Sequence, residues 1–143
     1  MAKTVATILG VVFLIVGLAG FVARGTFDML GVHLSTAHNL VHIISGIIAL
    51  YFGLAGTLAA ARLFDIIFGI VYGLLGIAGF LLGHVVSRSS IPDMMPSHHM
   101  LTLYPGVLEF GSRDHALHIL LGIIFLLGGL LTKTAINRAA DRT

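Results

Sequence analysis

Four long apolar stretches constrain the fold of this chain more than any other feature. They cover residues 5–23, 36–61, 66–86 and 116–132. A helix needs about 20 mostly apolar residues to cross the hydrocarbon core of a bilayer. The strands of a membrane barrel would instead alternate polar and apolar residues, and these stretches are apolar throughout. The sequence therefore predicts an all-α fold, a bundle of four transmembrane helices.

The overall composition excludes several other classes of protein. Of the 143 residues, 57% are hydrophobic and only 10% are charged, whereas a soluble domain carries about 25% charged residues. The net charge of +2 provides no basic face for a nucleic acid. With no cysteine, the chain cannot form disulfides or thiolate metal sites. We expect one membrane domain over residues 1–143, with the lipid bilayer as its partner.

The basic residues indicate the orientation in the membrane, since cytoplasmic segments carry an excess of Lys and Arg. On the side of both termini and the second connection lie five basic residues: Lys3, Arg62, Lys133, Arg138 and Arg142. The other side has three, with four acidic residues among them: Arg24, Arg88, Arg113, Asp28, Asp93, Glu109 and Asp114. Both termini are therefore predicted in the cytoplasm. A tight hairpin is expected around Arg62, with Asp65 either paired to it or starting the third helix, and a long outer loop over residues 87–112.

The sequence also repeats itself. Residues 10–21 align with 69–80, and residues 37–48 align with 113–124, so that four glycines and one histidine recur at equivalent positions. Two helices in each half give both halves the same orientation, related by a pseudo-two-fold axis along the membrane normal. We therefore predict two tandem helical hairpins, repeat one over residues 1–61 and repeat two over residues 62–143. Glycines along one face of the third helix predict close helix packing.

All eight histidines fall in the half of the predicted bundle that faces the outer side of the membrane. His38 with His42, and Asp114 with His118, are each spaced four residues apart, which places both side chains of a pair on one helical face. Because the repeat makes the two pairs symmetry mates, they are expected to converge near the outer membrane surface.

Several chemistries are open to this set. Three imidazoles and a carboxylate suit Zn²⁺, Cu²⁺ or iron. His42 and His118 could instead be axial ligands of a haem, or each ligate a chlorophyll-type tetrapyrrole. A structural alternative places Ser35 or Thr36, and Ser112 or Asp114, as helix N-caps, with the histidines as hydrogen-bonding locks between the repeats. A proton or pH relay is a further alternative.

The long outer loop holds a second set of candidate ligands. Thioether and imidazole groups together suit Cu(I), and both occur here, at Met94, Met95, His98, His99 and Met100. The same loop could be an ordered cap over the bundle, with residues 100–110 as an interfacial anchor. His84 and His115 are the remaining weaker metal candidates on the outer side.

The motifs around these histidines resemble a known family. They are His38-Asn39-Leu-Val-His42 followed by Gly46, and Asp114-His115-Ala-Leu-His118 followed by Gly122. The chain resembles an uncharacterised family of small four-helix bacterial membrane proteins, a domain of unknown function, in which Asn stands where this chain has His115. The resemblance implies the fold and a bacterial inner membrane, and it implies no activity.

These observations lead to two functional expectations. The first is a non-enzymatic membrane protein that binds copper, zinc, or a haem or chlorophyll-type tetrapyrrole at the His/Asp site. The second is a structural accessory subunit of a larger respiratory or photosynthetic complex, because a short chain with little soluble mass has few surfaces for independent chemistry. No catalytic motif stands in a suitable context.

Overall fold

The computed structural model describes residues 1–23, 30–32, 34–86 and 97–133. Within these residues four helices are long and apolar enough to cross a membrane, which confirms the predicted fold class. The helices are α1 (Ala2–Val22), α2 (Thr36–Leu50, continued by a π-helical turn over Tyr51–Ala55), α3 (Leu58–Leu82) and α4 (Ser112–Leu130). Six of the charged residues used for the orientation lie outside the described residues: Arg24, Asp28, Arg88, Asp93, Arg138 and Arg142.

The connection between α2 and α3 lies earlier in the chain than predicted. Thr57 is the N-cap of α3, and its hydroxyl accepts a hydrogen bond from the Ala60 N–H at 3.1 Å. The alanines that follow are strong helix formers, so the turn closes at Gly56 and Arg62 lies inside α3. The hairpin expected around Arg62 is therefore wrong by about one helical turn.

The expected pairing of Arg62 with Asp65 is also wrong. The Arg62 Nε donates to the Gly129 carbonyl at 3.0 Å. Asp65 lies in the second turn of α3, fully buried, and neither carboxylate oxygen has a hydrogen-bond partner within the described structure. It neither starts the helix nor neutralises the arginine.

A small antiparallel sheet follows α3 and was not predicted. Its strands are β1 (His84–Val86), β2 (Ser97–Tyr104) and β3 (Leu108–Phe110), in that spatial order. Pro105 and Gly106 make the β2–β3 turn: the φ of Gly106 is 72°, and the Val107 N–H donates to the Tyr104 carbonyl at 3.1 Å. The all-α expectation thus holds for the membrane-spanning part, and residues 97–104 and 108–110 form strands between the third and fourth spans.

The helices pack as two hairpins, α1 with α2 and α3 with α4. Glycines allow this close approach: a Cβ at Gly10 would lie 3.1 Å from the Gly46 carbonyl oxygen, and one at Gly69 would lie 3.0 Å from that of Gly122. A Cβ at Gly76 would meet the backbone of α4 in the same way, whereas Gly73 faces open space. Close packing is thus confirmed for the α3 glycines that face α4.

Aromatic rings fill the space between the two hairpins. Phe13 of α1 stacks on Tyr72 of α3 at a centroid distance of 5.5 Å, and Phe125 of α4 lies 6.0 Å from Phe13. At one end of the bundle, here called the terminal end, the Ala2 N–H donates to the Thr132 hydroxyl at 2.8 Å. The opposite end carries the three strands and is called the sheet end.

Candidate functional site

The site begins with the way α2 starts at the sheet end. The Ser35 hydroxyl accepts from the His38 N–H at 3.1 Å and donates to the Val107 carbonyl at 2.6 Å. Ser35, and not Thr36, is therefore the N-cap, as one of the two alternatives predicted. This hydroxyl joins the first turn of α2 to the β2–β3 hairpin of the other half of the chain.

The start of α4 differs from the prediction. Its N-cap is Gly111, whose extended backbone precedes the first helical residue, and the Asp114 Oδ2 accepts from the Gly111 N–H at 2.8 Å. The prediction of Ser112 or Asp114 as N-cap is thus wrong. Asp114 is the third helical residue, and its carboxylate reaches back to satisfy a backbone donor that the helix itself leaves open.

Three of the four predicted ligands meet at this end of the bundle. The His38 ring stacks on that of His42 at 4.6 Å and lies 6.0 Å from that of His118, so that α2 and α4 both contribute. We refer to His38, His42 and His118 as the histidine cluster. All three are buried, and Asp114 is buried near enough to act electrostatically on His42 and His118.

Aromatic rings enclose the cluster above and below. Phe110 of β3 meets His38 and His118 edge-on, at 4.9 and 5.2 Å. Phe13 lies 5.4 Å from His42, and Tyr72 lies 5.5 Å from His118. The ring contacts of the imidazoles are therefore with aromatic side chains, and none of them is with Lys or Arg.

The cluster retains unused hydrogen-bonding capacity. The Nδ1 atoms of His42 and His118 are buried and have no partner in the described part of the chain. Leaving a buried polar atom unpaired costs about 1–3 kcal/mol, so a ligand that bonds to these atoms would be stabilised. Within the same residues no three His, Cys, Asp or Glu side chains are already arranged around one ion position.

Two cavities flank the cluster, and all three of its histidines line both. One, of about 160 Å³, lies between α1 and α4. The other, of about 210 Å³, lies between α2 and α3 beneath the β2–β3 hairpin. The imidazoles therefore form a partition between two small apolar spaces.

The weaker candidates lie apart from the cluster. His115 Nε2 is 2.7 Å from the His99 carbonyl oxygen, which links α4 to β2. The His99 ring packs on Phe80 at 5.7 Å, and His84 and His98 are exposed on the sheet. Met100 is buried in the core below β2. His33, Met94 and Met95 lie outside the described residues.

Two polar residues beside the cluster, Tyr72 and Ser45, were not predicted from the sequence. The Tyr72 hydroxyl forms a side-chain hydrogen bond with Ser45, and both line the cavity between α2 and α3. A signal was available, because the internal alignment pairs Tyr72 with Phe13 and Ser45 with Leu121. Where the internal alignment pairs a polar residue with an apolar one, the two halves of the chain differ in chemistry.

Taken with the fold, these features define a small multi-pass membrane protein with a buried histidine cluster at one end of its helices. A family model described as "Domain of unknown function (DUF4383)" matches residues 3–131. The chain belongs to this family, which confirms the resemblance to a domain of unknown function. No curated protein and no solved structure matches the chain.

Proposed function

We propose that this protein is a non-enzymatic membrane protein that binds a transition metal ion, copper or zinc, through the histidine cluster. The observation that carries the proposal is the convergence of three buried imidazoles, two of them with an unpartnered Nδ1. Imidazole is the ligand type that zinc and copper share. Asp114 supplies a negative charge beside the imidazoles and completes the predicted set of ligands.

The spacing of the rings supports a metal ion without movement of the helices. Two imidazoles bound to one tetrahedral zinc ion have ring centroids about 5 Å apart, given a Zn–N distance of about 2.1 Å. The observed separations from His38, 4.6 Å to His42 and 6.0 Å to His118, lie on either side of this value. Because no three of the described His, Cys, Asp or Glu side chains surround one ion position, the imidazoles have to rotate about χ1 and χ2 to bind one ion.

The cavities favour an ion over a tetrapyrrole. Pockets for drug-sized ligands start at about 300 Å³, and the two cavities beside the cluster measure about 160 and 210 Å³. A tetrapyrrole is larger than a typical drug, whereas one ion with a bound water fits. We therefore place copper or zinc ahead of a haem or chlorophyll-type group.

Metal analysis of the purified protein tests this proposal. Protein extracted in mild detergent, loaded with Zn²⁺ or Cu²⁺ and passed through a desalting column, is expected to retain about one ion per chain. Retention no greater than that of empty detergent micelles would overturn it. A Soret or Q-type band in the absorption spectrum would show that the bound ligand is a tetrapyrrole and not a metal ion alone.

A second candidate function is a structural accessory subunit of a larger membrane complex. Two hydrogen bonds give predicted metal ligands a structural role instead: the Asp114 carboxylate accepts from the Gly111 N–H, and the His115 ring bonds to the His99 carbonyl. If this is the function, the protein is expected to co-purify in mild detergent with respiratory or photosynthetic subunits at a fixed ratio. A lone monodisperse protein in several mild detergents would count against it.

We also propose that the two hairpins are tandem repeats. Contacts at equivalent positions support this: Gly10 meets Gly46 as Gly69 meets Gly122. A Cβ at Gly20 would lie 2.1 Å from the Asn39 side chain, and one at Gly79 would lie 2.1 Å from that of His115. Asn39 and His115 are themselves equivalent in the internal alignment.

For the orientation, we propose a bacterial inner membrane with the terminal end in the cytoplasm. The described basic residues Lys3, Arg62 and Lys133 support it, because all three belong to the terminal end. At the sheet end, the basic Arg113 is accompanied by two acidic residues, Glu109 and Asp114.

Cysteine labelling checks this orientation on a chain that has no cysteine of its own. Tyr104→Cys places a thiol at an exposed position of the sheet end. Lys133→Cys places one at an exposed position of the terminal end. A membrane-impermeant maleimide added to intact spheroplasts is expected to label the first variant and to label the second only after permeabilisation. The reverse pattern would invert the proposed topology.

A further inference from the structure

The two cavities beside the histidine cluster are equivalent in position but differ in chemistry. Phe13 in the α1–α4 cavity corresponds to Tyr72 in the α2–α3 cavity, and Leu121 corresponds to Ser45. Only the α2–α3 cavity therefore carries a hydrogen-bonded pair of hydroxyls on its wall. The two cavities share the same imidazoles, but Asp114 lines only the α1–α4 cavity and the hydroxyl pair lines only the α2–α3 cavity.

The α2–α3 cavity opens sideways toward the lipid. Val41 on α2 and Val71 on α3 both line it, and they are 44% and 54% exposed on the outside of the bundle. A molecule entering between them would come from the hydrocarbon of the bilayer. None of the described lining residues is Lys, Arg, Asp or Glu, so the cavity is built for an uncharged ligand.

Its size and walls indicate the shape of that ligand. An apolar cavity of about 150 Å³ is enough for benzene, and this cavity measures about 210 Å³. It therefore fits one six-membered ring with small substituents. The side chains of Phe68, Tyr72 and Phe110 give it flat aromatic walls, which favour a planar ring.

The polar groups of the cavity indicate the ligand's functional groups. His42 and His118, 7% and 4% exposed, each have a buried Nδ1 without a partner. Together with the Tyr72–Ser45 hydroxyl pair, the imidazoles can donate hydrogen bonds to a neutral acceptor. A planar ring with carbonyl oxygens and an apolar tail is the chemistry of the lipid-soluble quinones.

We propose that the α2–α3 cavity binds the head group of a lipid-soluble quinone. One carbonyl oxygen accepts from the Tyr72–Ser45 hydroxyl pair, a second accepts from an imidazole of the cluster, and the tail leaves between Val41 and Val71. The proposal concerns binding alone and no electron transfer. It uses an imidazole of the cluster that the proposed metal ion would also bind, so it is tested on metal-free protein.

Calorimetry on metal-free protein tests the proposal. The chelator-treated full chain in phosphatidylcholine nanodiscs is titrated with a benzoquinone bearing a ten-carbon tail, and empty nanodiscs correct for partitioning. We expect saturable binding of one quinone per chain. Heat indistinguishable from that of empty nanodiscs would overturn the proposal, whether or not the protein binds metal. Equal affinity for decylbenzene, which lacks the carbonyls, would also overturn it. That result would indicate that the cavity binds lipid tails.

Matched variants locate the site. Tyr72→Phe and Ser45→Ala each remove one hydroxyl and are expected to weaken the Kd about three- to tenfold, the effect of one hydrogen bond. Val12→Ala in the α1–α4 cavity is the control and is expected to leave the Kd unchanged. Unchanged Kd values in both hydroxyl variants would contradict the assignment. The double variant Phe13→Tyr with Leu121→Ser copies the hydroxyl pair and is expected to raise the stoichiometry toward two.

Discussion

Replacing His42 and His118 together with glutamine is expected to weaken zinc binding by at least about 100-fold. The double variant removes two of the three imidazoles, and even residues that merely support a metal ligand change affinity by about 10- to 100-fold. Glutamine keeps a polar side chain of similar length beside Phe13 and Tyr72. Competition with a chromophoric zinc chelator in detergent measures the affinity, and each single variant is expected to fall between the wild type and the double variant.

His98→Gln is the matched control for this experiment. It removes an imidazole from the same end of the molecule, but from an exposed position on β2, so we expect zinc affinity equal to that of the wild type. An equal loss in the control and the double variant would assign the zinc to surface histidines. If the double variant lowers the unfolding temperature while the wild-type protein binds no metal, the cluster is a structural lock.

Gly122→Ala is expected to lower the free energy of unfolding by about 1–3 kcal/mol, the usual cost of overpacking an interior. An added Cβ would lie 2.6 Å from the backbone nitrogen of Gly73 and 2.9 Å from the carbonyl oxygen of Gly69. Backbone atoms of α3 cannot rotate away as a side chain can, so α3 and α4 would have to separate. Unfolding in mixed micelles of a mild and a denaturing detergent measures the change.

Gly73→Ala is the control on the partner helix. A Cβ there meets nothing within 4 Å, so the substitution should leave stability unchanged or raise it by up to about 1 kcal/mol through helix propensity. The two variants make the same chemical change on facing helices. Equal effects on the free energy of unfolding would contradict the packing shown by the structure.

The four spans were predictable because membrane insertion depends on the sum of the transfer free energies of neighbouring residues. Each residue contributes its own transfer free energy, and a window of about 20 residues decides whether a helix crosses the bilayer. The helix ends were less predictable. Helix α3 begins directly after its N-cap Thr57, about one turn before Arg62. The N-cap and the helix-forming residues after it outweigh the preference of a charged residue for the membrane surface.

The sheet after α3 was not predicted, because residues 87–112 were expected to form an outer loop. The β2–β3 hairpin depends on a short Pro105–Gly106 turn and on a tertiary hydrogen bond, which the Val107 carbonyl accepts from Ser35. Its strand pairing is also irregular, with a register shift between Thr102 and Tyr104. The apolar residues 100–110 were predicted either as part of an ordered cap over the bundle or as an interfacial anchor. In the structure Met100 and Phe110 are buried against the ends of the helices.

Part of the candidate site followed from spacing alone. Residues four positions apart share a helical face, so spacing pairs His38 with His42 and Asp114 with His118, and the rings of the first pair stack at 4.6 Å. Spacing does not say how a helix is rotated toward its neighbours. His115, one residue after Asp114, turns to the sheet and bonds to the His99 carbonyl, while His118 turns to the cluster.

By itself, the sequence determined that this chain is a four-span membrane protein with the histidines of its described part at one end, because hydropathy and residue position are local properties. Only the tertiary structure decided which histidines meet, and that the Tyr72 and Ser45 hydroxyls lie on the wall of one of the two cavities. The physical reason is the rotation of each helix about its axis. Backbone contacts at the glycine positions set that rotation, and they form only when the helices pack.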